Sequence, residues 1–201
     1  MIKPLKNYLY QLFVNEYNKN GSLNLLSNNI KKALKKSPAE IGIRSELQPP
    51  DAESMMIVYR NLNHLQKAYS PLRKLGYLLN ATSAIYNSVK QQQLKKSQDS
   101  KCKSEHASFG ADDFLPIFIY VLVQCRMISA EIEAEYIHGL IHPNLLTGEG
   151  GYYLTTLSSA VHVLKNMNDD FDEINFFKFK GKKIQWKKEN HGPVGRLNTS
   201  G

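Results

Sequence analysis

Cysteine is scarce: the 201 residues hold two, Cys102 and Cys125. Two thiols argue against a disulfide framework. No CxxC pair or Cys/His spacing suggests zinc, so a reducing compartment is the simpler expectation. Long hydrophobic runs are lacking too. The longest, FLPIFIYVLV at 114–123, falls far short of the ~20 residues a membrane span needs. The first stretch, MIKPLKNYLYQLF, is amphipathic rather than uniformly apolar, so a signal peptide is not expected and a soluble chain is. No strand alternation or βαβ pattern occurs, which argues against dinucleotide and P-loop folds. GEGG at 148–151 lacks the following Lys-Ser/Thr of a phosphate loop and reads as a turn. Glu135, His138 and His142 share a helical spacing, but without HExxH and with Pro143 ending the segment they read as packing or surface residues. No metal or cofactor is expected. The sequons at Asn80 and Asn198 are set aside for a chain expected inside the cell.

What is present is ordinary globular composition, 42% hydrophobic, on a chain long enough to bury about 70% of its unfolded surface. The net charge is +8. Lysines cluster at 31–36, 95–103 and 178–188, first as solvated faces and second as a weak contact with anionic membrane. They are not interleaved with aromatics into a nucleic-acid motif, so no nucleic-acid partner is expected.

Every strong periodic segment has helical spacing, and the fold class expected is an all-α bundle of about seven helices. Leu5, Tyr8, Leu9, Leu12 and Phe13 form the first stripe, an N-terminal helix over 1–21. Leu23, Leu26, Ile30 and Leu34 form the second, with Ser22 as its cap. PAEIGIRSELQPP reads as a loop. Asp51 caps a third helix, carrying Met55, Val58, Tyr59, Leu62 and Leu65. Ser70-Pro71 opens a fourth, to about 90, presenting Leu72, Leu75, Leu79, Tyr86 and Val89. The polar stretch 91–110 reads as a mobile loop insertion. Asp112 or Asp113 caps a fifth helix, apolar on nearly all sides and hence central, with Pro116 in or near its first turn. Ser129 caps the next, with Glu131 and Glu133 in its first turn and Ile132, Tyr136 and Leu140 on its face. The last helix runs from about 152 to 166, and 169–201 is read as a basic, disordered tail.

The last helix poses a puzzle, because GEGGYYLTTL places two tyrosines side by side. At about 100° per residue, Tyr153, Leu157, Ala160, Val161 and Leu164 share one face, and Tyr152, Thr155 and Ser159 lie roughly opposite. Tyr153 is therefore assigned to the core. Tyr152 either packs on a neighbouring helix or serves an interface, for which Tyr is favoured. Of the two adjacent acids, a cap needs only one. An acid on the rim of an apolar helix could instead meet a partner's lysine.

GADDFLPIFIYVLVQC, followed by EAEYIHGLIHPNLLTGEGGYYLTTLSSAVHVLKN, resembles the catalytic core of the Vps-nine domain. That family comprises guanine-nucleotide exchange factors for Rab GTPases of the Rab-five subfamily. PLKNYLYQLF, GSLNLL and KAYSPLRKLGYLL resemble its Ras-and-Rab-interactor branch. The resemblance covers roughly residues 2–168. It implies a domain over 22–168, with a catalytic core over about 71–168. It also implies a mechanism. Asp112 would engage the P-loop lysine of the GTPase in place of phosphate oxygens, in competition with phosphate and Mg²⁺. Tyr152 and Thr155 would contact the switch region. Pro116 would shape a groove for apolar switch residues, and Asp113 and Ser159 would add GTPase contacts. The expected setting is cytoplasmic, at the surface of early endosomes or endocytic vesicles. A non-catalytic Rab-binding scaffold is the alternative reading. The SH2 and Ras-association regions usual in that branch have no counterpart in these residues, so phosphotyrosine and Ras binding are not expected.

Overall fold

The computed structural model describes residues 2–99 and 109–167. They form an all-α domain with no strand among the described residues. Its helices are α1 (Ile2–Lys19), α2 (Ser22–Ala33), α3 (Ala52–Lys67), α4 (Pro71–Asp99), α5 (Ala111–Gln124), α6 (Ala130–Leu140) and α7 (Glu149–Lys165), with 3₁₀ turns at Ala39–Ile41 and Pro143–Leu146. No described helix is long and apolar enough to cross a membrane. The 169–201 tail, the lysines at 101–103 and 178–188 and the Asn198 sequon lie outside the described residues.

Helix α5 is the axis of the core. Phe114, Ile117, Phe118, Ile119, Val121, Leu122 and Val123 are all buried, as an apolar circumference requires. Helix α7 lies against α2, α4, α5 and α6. Its last carbonyls, at Leu164 and Lys165, accept hydrogen bonds of 2.8 and 3.1 Å from the buried Asn29 side chain of α2. Those are groups a helix end otherwise leaves unsatisfied. Helices α3 and α4 pack along one another. Asp51 caps α3 as expected, accepting from the Ser54 amide at 2.8 Å, and Ser88 of α4 donates to the same carboxylate.

Several elements depart from the sequence reading. Helix α4 runs on to Asp99, so 91–99 is helix where a loop is expected; 100–108 lies outside the described residues. Gln and Lys are good helix formers, and Gln92 ties this turn to the Pro49 carbonyl at 3.1 Å. Within α4 the buried stripe is Leu75, Leu78, Ala81, Ile85 and Val89, while Leu72 and Tyr86 are exposed. In α3, Tyr59 is exposed. Gly21, in the left-handed conformation, precedes α2 instead of Ser22, whose hydroxyl donates to Glu131 of α6. The Ser129 hydroxyl likewise makes no cap and bonds Gln66. Both serines bond side chains distant in sequence.

Helix α1 is rolled relative to its apolar stripe. Leu5, Tyr8 and Leu12 are exposed, and Leu9, Tyr10, Phe13, Val14 and Tyr17 turn inward. The reason lies in a buried ion pair. Lys74 of α4 and Glu133 of α6 are both fully buried and joined. The Lys74 ammonium also donates to the Leu65 carbonyl at 2.8 Å and lies 5.1 Å from the Tyr136 ring centroid. The second Glu133 oxygen accepts the Tyr10 hydroxyl at 2.9 Å. A buried pair is tolerable only when its remaining lone pairs and protons are met, and α1 supplies that last donor. Tyr10 and Phe13 also flank the Tyr136 ring at 6.5 and 6.3 Å.

Candidate functional site

The site is built where the first turns of α5 and α7 meet. Extended Gly110 precedes α5, and its amide donates to the Asp113 carboxylate at 2.9 Å. That carboxylate also faces one edge of the Arg44 guanidinium, accepting a hydrogen bond from a terminal nitrogen at 2.9 Å and standing 2.8 Å from Nε. Asp113 is thus the acid that closes the helix start. Asp112, its neighbour, is exposed. The two adjacent acids thus differ in exposure.

Pro116 is buried and is the sixth residue of α5, in the second turn rather than the first. Proline has no N–H, so the Asp112 carbonyl has no bond from residue 116, and the ring crowds that carbonyl. The turn that bears Asp112 is therefore held less by the helix ladder and more by its surroundings. Those surroundings are the 37–47 loop, with Ile41, Ile43 and Leu47 buried. Gly42, at φ 96°, brings its backbone to Pro116, where an added Cβ would stand 3.9 Å from the proline Cβ.

Helix α7 starts at Glu149, three residues ahead of expectation, so Gly150 and Gly151 are helical. Gly148 makes the entry at φ 76°, ψ −142°, a region open essentially to glycine alone. Gly151 answers to packing instead: a Cβ there would sit 1.8 Å from the Leu146 carbonyl oxygen. The glycines thus let the helix lie directly on the Pro143–Leu146 turn.

That seating fixes the tyrosine doublet. Tyr152 is 46% exposed, Thr155 is exposed and Ser159 is half-buried, whereas Leu157, Ala160, Val161 and Leu164 are core. Tyr153 is half-buried, with its ring edge-on to Phe114 of α5 at 5.4 Å and to Tyr152 at 5.0 Å. Burial foremost, then Glu149, raises its phenol above the ordinary range. Leu154, outside the expected core set, is also buried. The aromatic contact runs on from Phe114 to Phe109 at 6.4 Å and to Tyr86 of α4 at 5.2 Å.

Asp112, Tyr152 and Thr155 are therefore three exposed polar side chains on adjoining helix starts, linked underneath by the Phe114–Tyr153 contact. Pro116 is buried one turn after Asp112 in α5, and Ser159 lies one turn after Thr155 in α7. Asp113 differs from this group in exposure, its carboxylate being 13% exposed under Arg44 and the Gly110 amide. Glu135, His138 and His142 form no metal-holding group among the described residues. Such a rim can offer a carboxylate, a phenol and a hydroxyl to a partner surface.

Residues 57–169 match the Vacuolar sorting protein 9 (VPS9) domain. The chain belongs to the VPS9 domain family. Relatives of this VPS9 domain include Protein sprint of Drosophila melanogaster, 39% identical over 82% of the chain and 9% of that protein. Ras and Rab interactor 2 of Mus musculus is 31% identical over 85% of the chain and 17% of that protein. Ras and Rab interactor 1 of Mus musculus is 34% identical over 84% and 20%. The chain thus spans a fifth or less of the relatives it matches. Asp112, Pro116, Tyr152, Thr155 and Ser159 fall inside the VPS9 match. Arg44 and Gly42, which the sequence reading did not single out, lie before it. Nothing in the loop's composition distinguishes Arg44; only the fold brings it to Asp113.

Proposed function

We propose that this domain is a guanine-nucleotide exchange factor that accelerates GDP release from a small GTPase of the Rab type, and within that type from the Rab-five subfamily. The observation that carries the reading is the exposure of Asp112, Tyr152 and Thr155 together on the two helix starts, in a chain of the VPS9 family. Asp112 offers its carboxylate to the lysine that holds the nucleotide phosphates, in competition with phosphate and Mg²⁺; a charge-assisted bond of this kind is among the stronger hydrogen bonds. Tyr152 and Thr155 hold the switch region, and the wall around Pro116 takes its apolar side chains. Relatives named as Rab interactors support the partner class. Work at endocytic membranes belongs to the same proposal.

The test is GDP release from a panel of Rab GTPases with wild type and Asp112→Ala. Wild type accelerates release from at least one Rab-five-subfamily member, and Asp112→Ala loses most of that acceleration while keeping its fold. Binding without acceleration would favour the scaffold reading. Normal exchange by Asp112→Ala would remove the acid from its role.

A further inference from the structure

We infer that Arg44 is a positioning residue for the site: it decides which of two adjacent acids is presented to the partner. This rests on the exchange-factor reading and deepens it.

Two carboxylates stand side by side at the start of one helix, and either could draw a partner's ammonium. Arg44 separates them. Its guanidinium donates a hydrogen bond of 2.9 Å to Asp113 and stands in ion-pair contact with the other carboxylate oxygen through Nε at 2.8 Å, an arrangement that favours one orientation as well as charge. The same carboxylate accepts the Gly110 amide at 2.9 Å. With the Gly110 amide and the Arg44 guanidinium upon it, Asp113 is turned into the chain and 13% exposed. Of the two carboxylates at the helix start, the more exposed is that of Asp112.

A second observation makes this pin consequential. Pro116 withdraws the N–H that would have tied residue 112 into the α5 ladder. The turn is therefore located by contacts outside the helix, and the 37–47 loop supplies two of them, Arg44 on Asp113 and Gly42 beneath Pro116. The loop is itself anchored by buried Ile41, Ile43 and Leu47, so Arg44 reaches out from a fixed base. Arg44 touches neither the rim residues nor, by this account, the nucleotide. It acts through Asp113 on where Asp112 stands.

The experiment compares wild type, Arg44→Ala, Arg44→Lys and Asp112→Ala. It measures GDP release from the most responsive Rab, affinity for the nucleotide-free GTPase, thermal melting and amide exchange at Gly110 and Asp113. Because a misplaced group away from the chemistry can lower a rate by up to about a hundredfold, Arg44→Ala should slow maximal release by roughly tenfold. Its melting should change little, as expected of a partly exposed pair. Arg44→Lys, which keeps the cation but not the fork, should recover part of the rate. Amide protection at Gly110 should fall in Arg44→Ala. Unchanged release by Arg44→Ala would overturn the inference. So would Lys and Ala variants slowed equally in step with lost stability. If wild type accelerates no Rab, the exchange reading fails by itself. The amide exchange then decides the pin: faster exchange at Gly110 in Arg44→Ala keeps it, and unchanged exchange overturns it.

Discussion

Gly151→Ala is the sharpest perturbation the structure offers. The added methyl would lie 1.8 Å from the Leu146 carbonyl oxygen and 2.9 Å from its carbon. Both are backbone atoms, so no rotamer change relieves the clash. To restore ordinary contact at 3.4 Å, the start of α7 must retreat by about 1.6 Å. Overpacking costs typically ~1–3 kcal/mol, and more where the backbone must move, so a loss near 3 kcal/mol is expected. At about 2–4 °C per kcal/mol for a domain of this size, melting falls by roughly 6–12 °C. The same retreat carries Tyr152 with it, so GDP release by whatever remains folded at low temperature should fall by about tenfold or more. Gly139→Ala is the control. It is an exposed position of α6 with nothing within 4 Å of the new methyl, and glycine to alanine there should stabilise by ~0.5–1 kcal/mol. Thermal melting of both variants checks the reasoning. A Gly151→Ala protein that melts within about 2 °C of wild type, or a Gly139→Ala protein that loses as much, would refute it.

Other changes should separate structure from function. Tyr153→Ala removes the edge contact with Phe114 and should lower melting, whereas Tyr152→Ala should leave melting near wild type and impair nucleotide release; equal loss of stability in both would show the division to be wrong. Arg126, ending α5 at φ 49°, does a glycine's work, so Arg126→Gly should be neutral or gain up to ~1 kcal/mol in denaturant unfolding. Alkaline pH should loosen α1. Tyr17 is pushed up to about 12, by burial first and then by Glu135, Glu131 and Glu16, and Tyr10 is raised further, by burial and then Glu133. A phenol raised in the folded state contributes stability that is whole below the unfolded value near 10 and lost as pH rises toward the folded one. Melting should therefore decline between pH 10 and 12, and less steeply in Tyr17→Phe.

Much of this was legible in the sequence, for reasons that name its limits. Helical periodicity and the Asp51 and Pro71 signals are local, and the elements they mark are present. Most of the division of α7 into faces followed from angle alone, because one helix repeats a regular rotation, although Tyr153 is only half-buried and buried Leu154 was missed. What escaped depends on long-range partners. Nothing in the sequence marks Lys74, and Glu133 reads only as a first-turn acid, until the fold places them against one another. The roll of α1 then follows from where Tyr10 must send its hydroxyl, not from its own stripe. Gly150 and Gly151 read as a turn, because nothing in the sequence shows that the Leu145–Leu146 backbone occupies the space beside them. Polar 91–99 looked like a loop because composition reports burial better than it reports helicity.

The Asn29 contact bears on what counts as one unit here. The VPS9 match begins at residue 57, yet the carbonyls that end α7 are satisfied by a side chain 28 residues earlier. Leu26, Ile30 and Ala33 on the same helix are in the core. A fragment cut at the edges of the family signature would leave a helix end bare and an apolar wall open to solvent, a surface prone to aggregation. The stretch that carries the family signature is smaller than the stretch that must be made together for either to hold its shape.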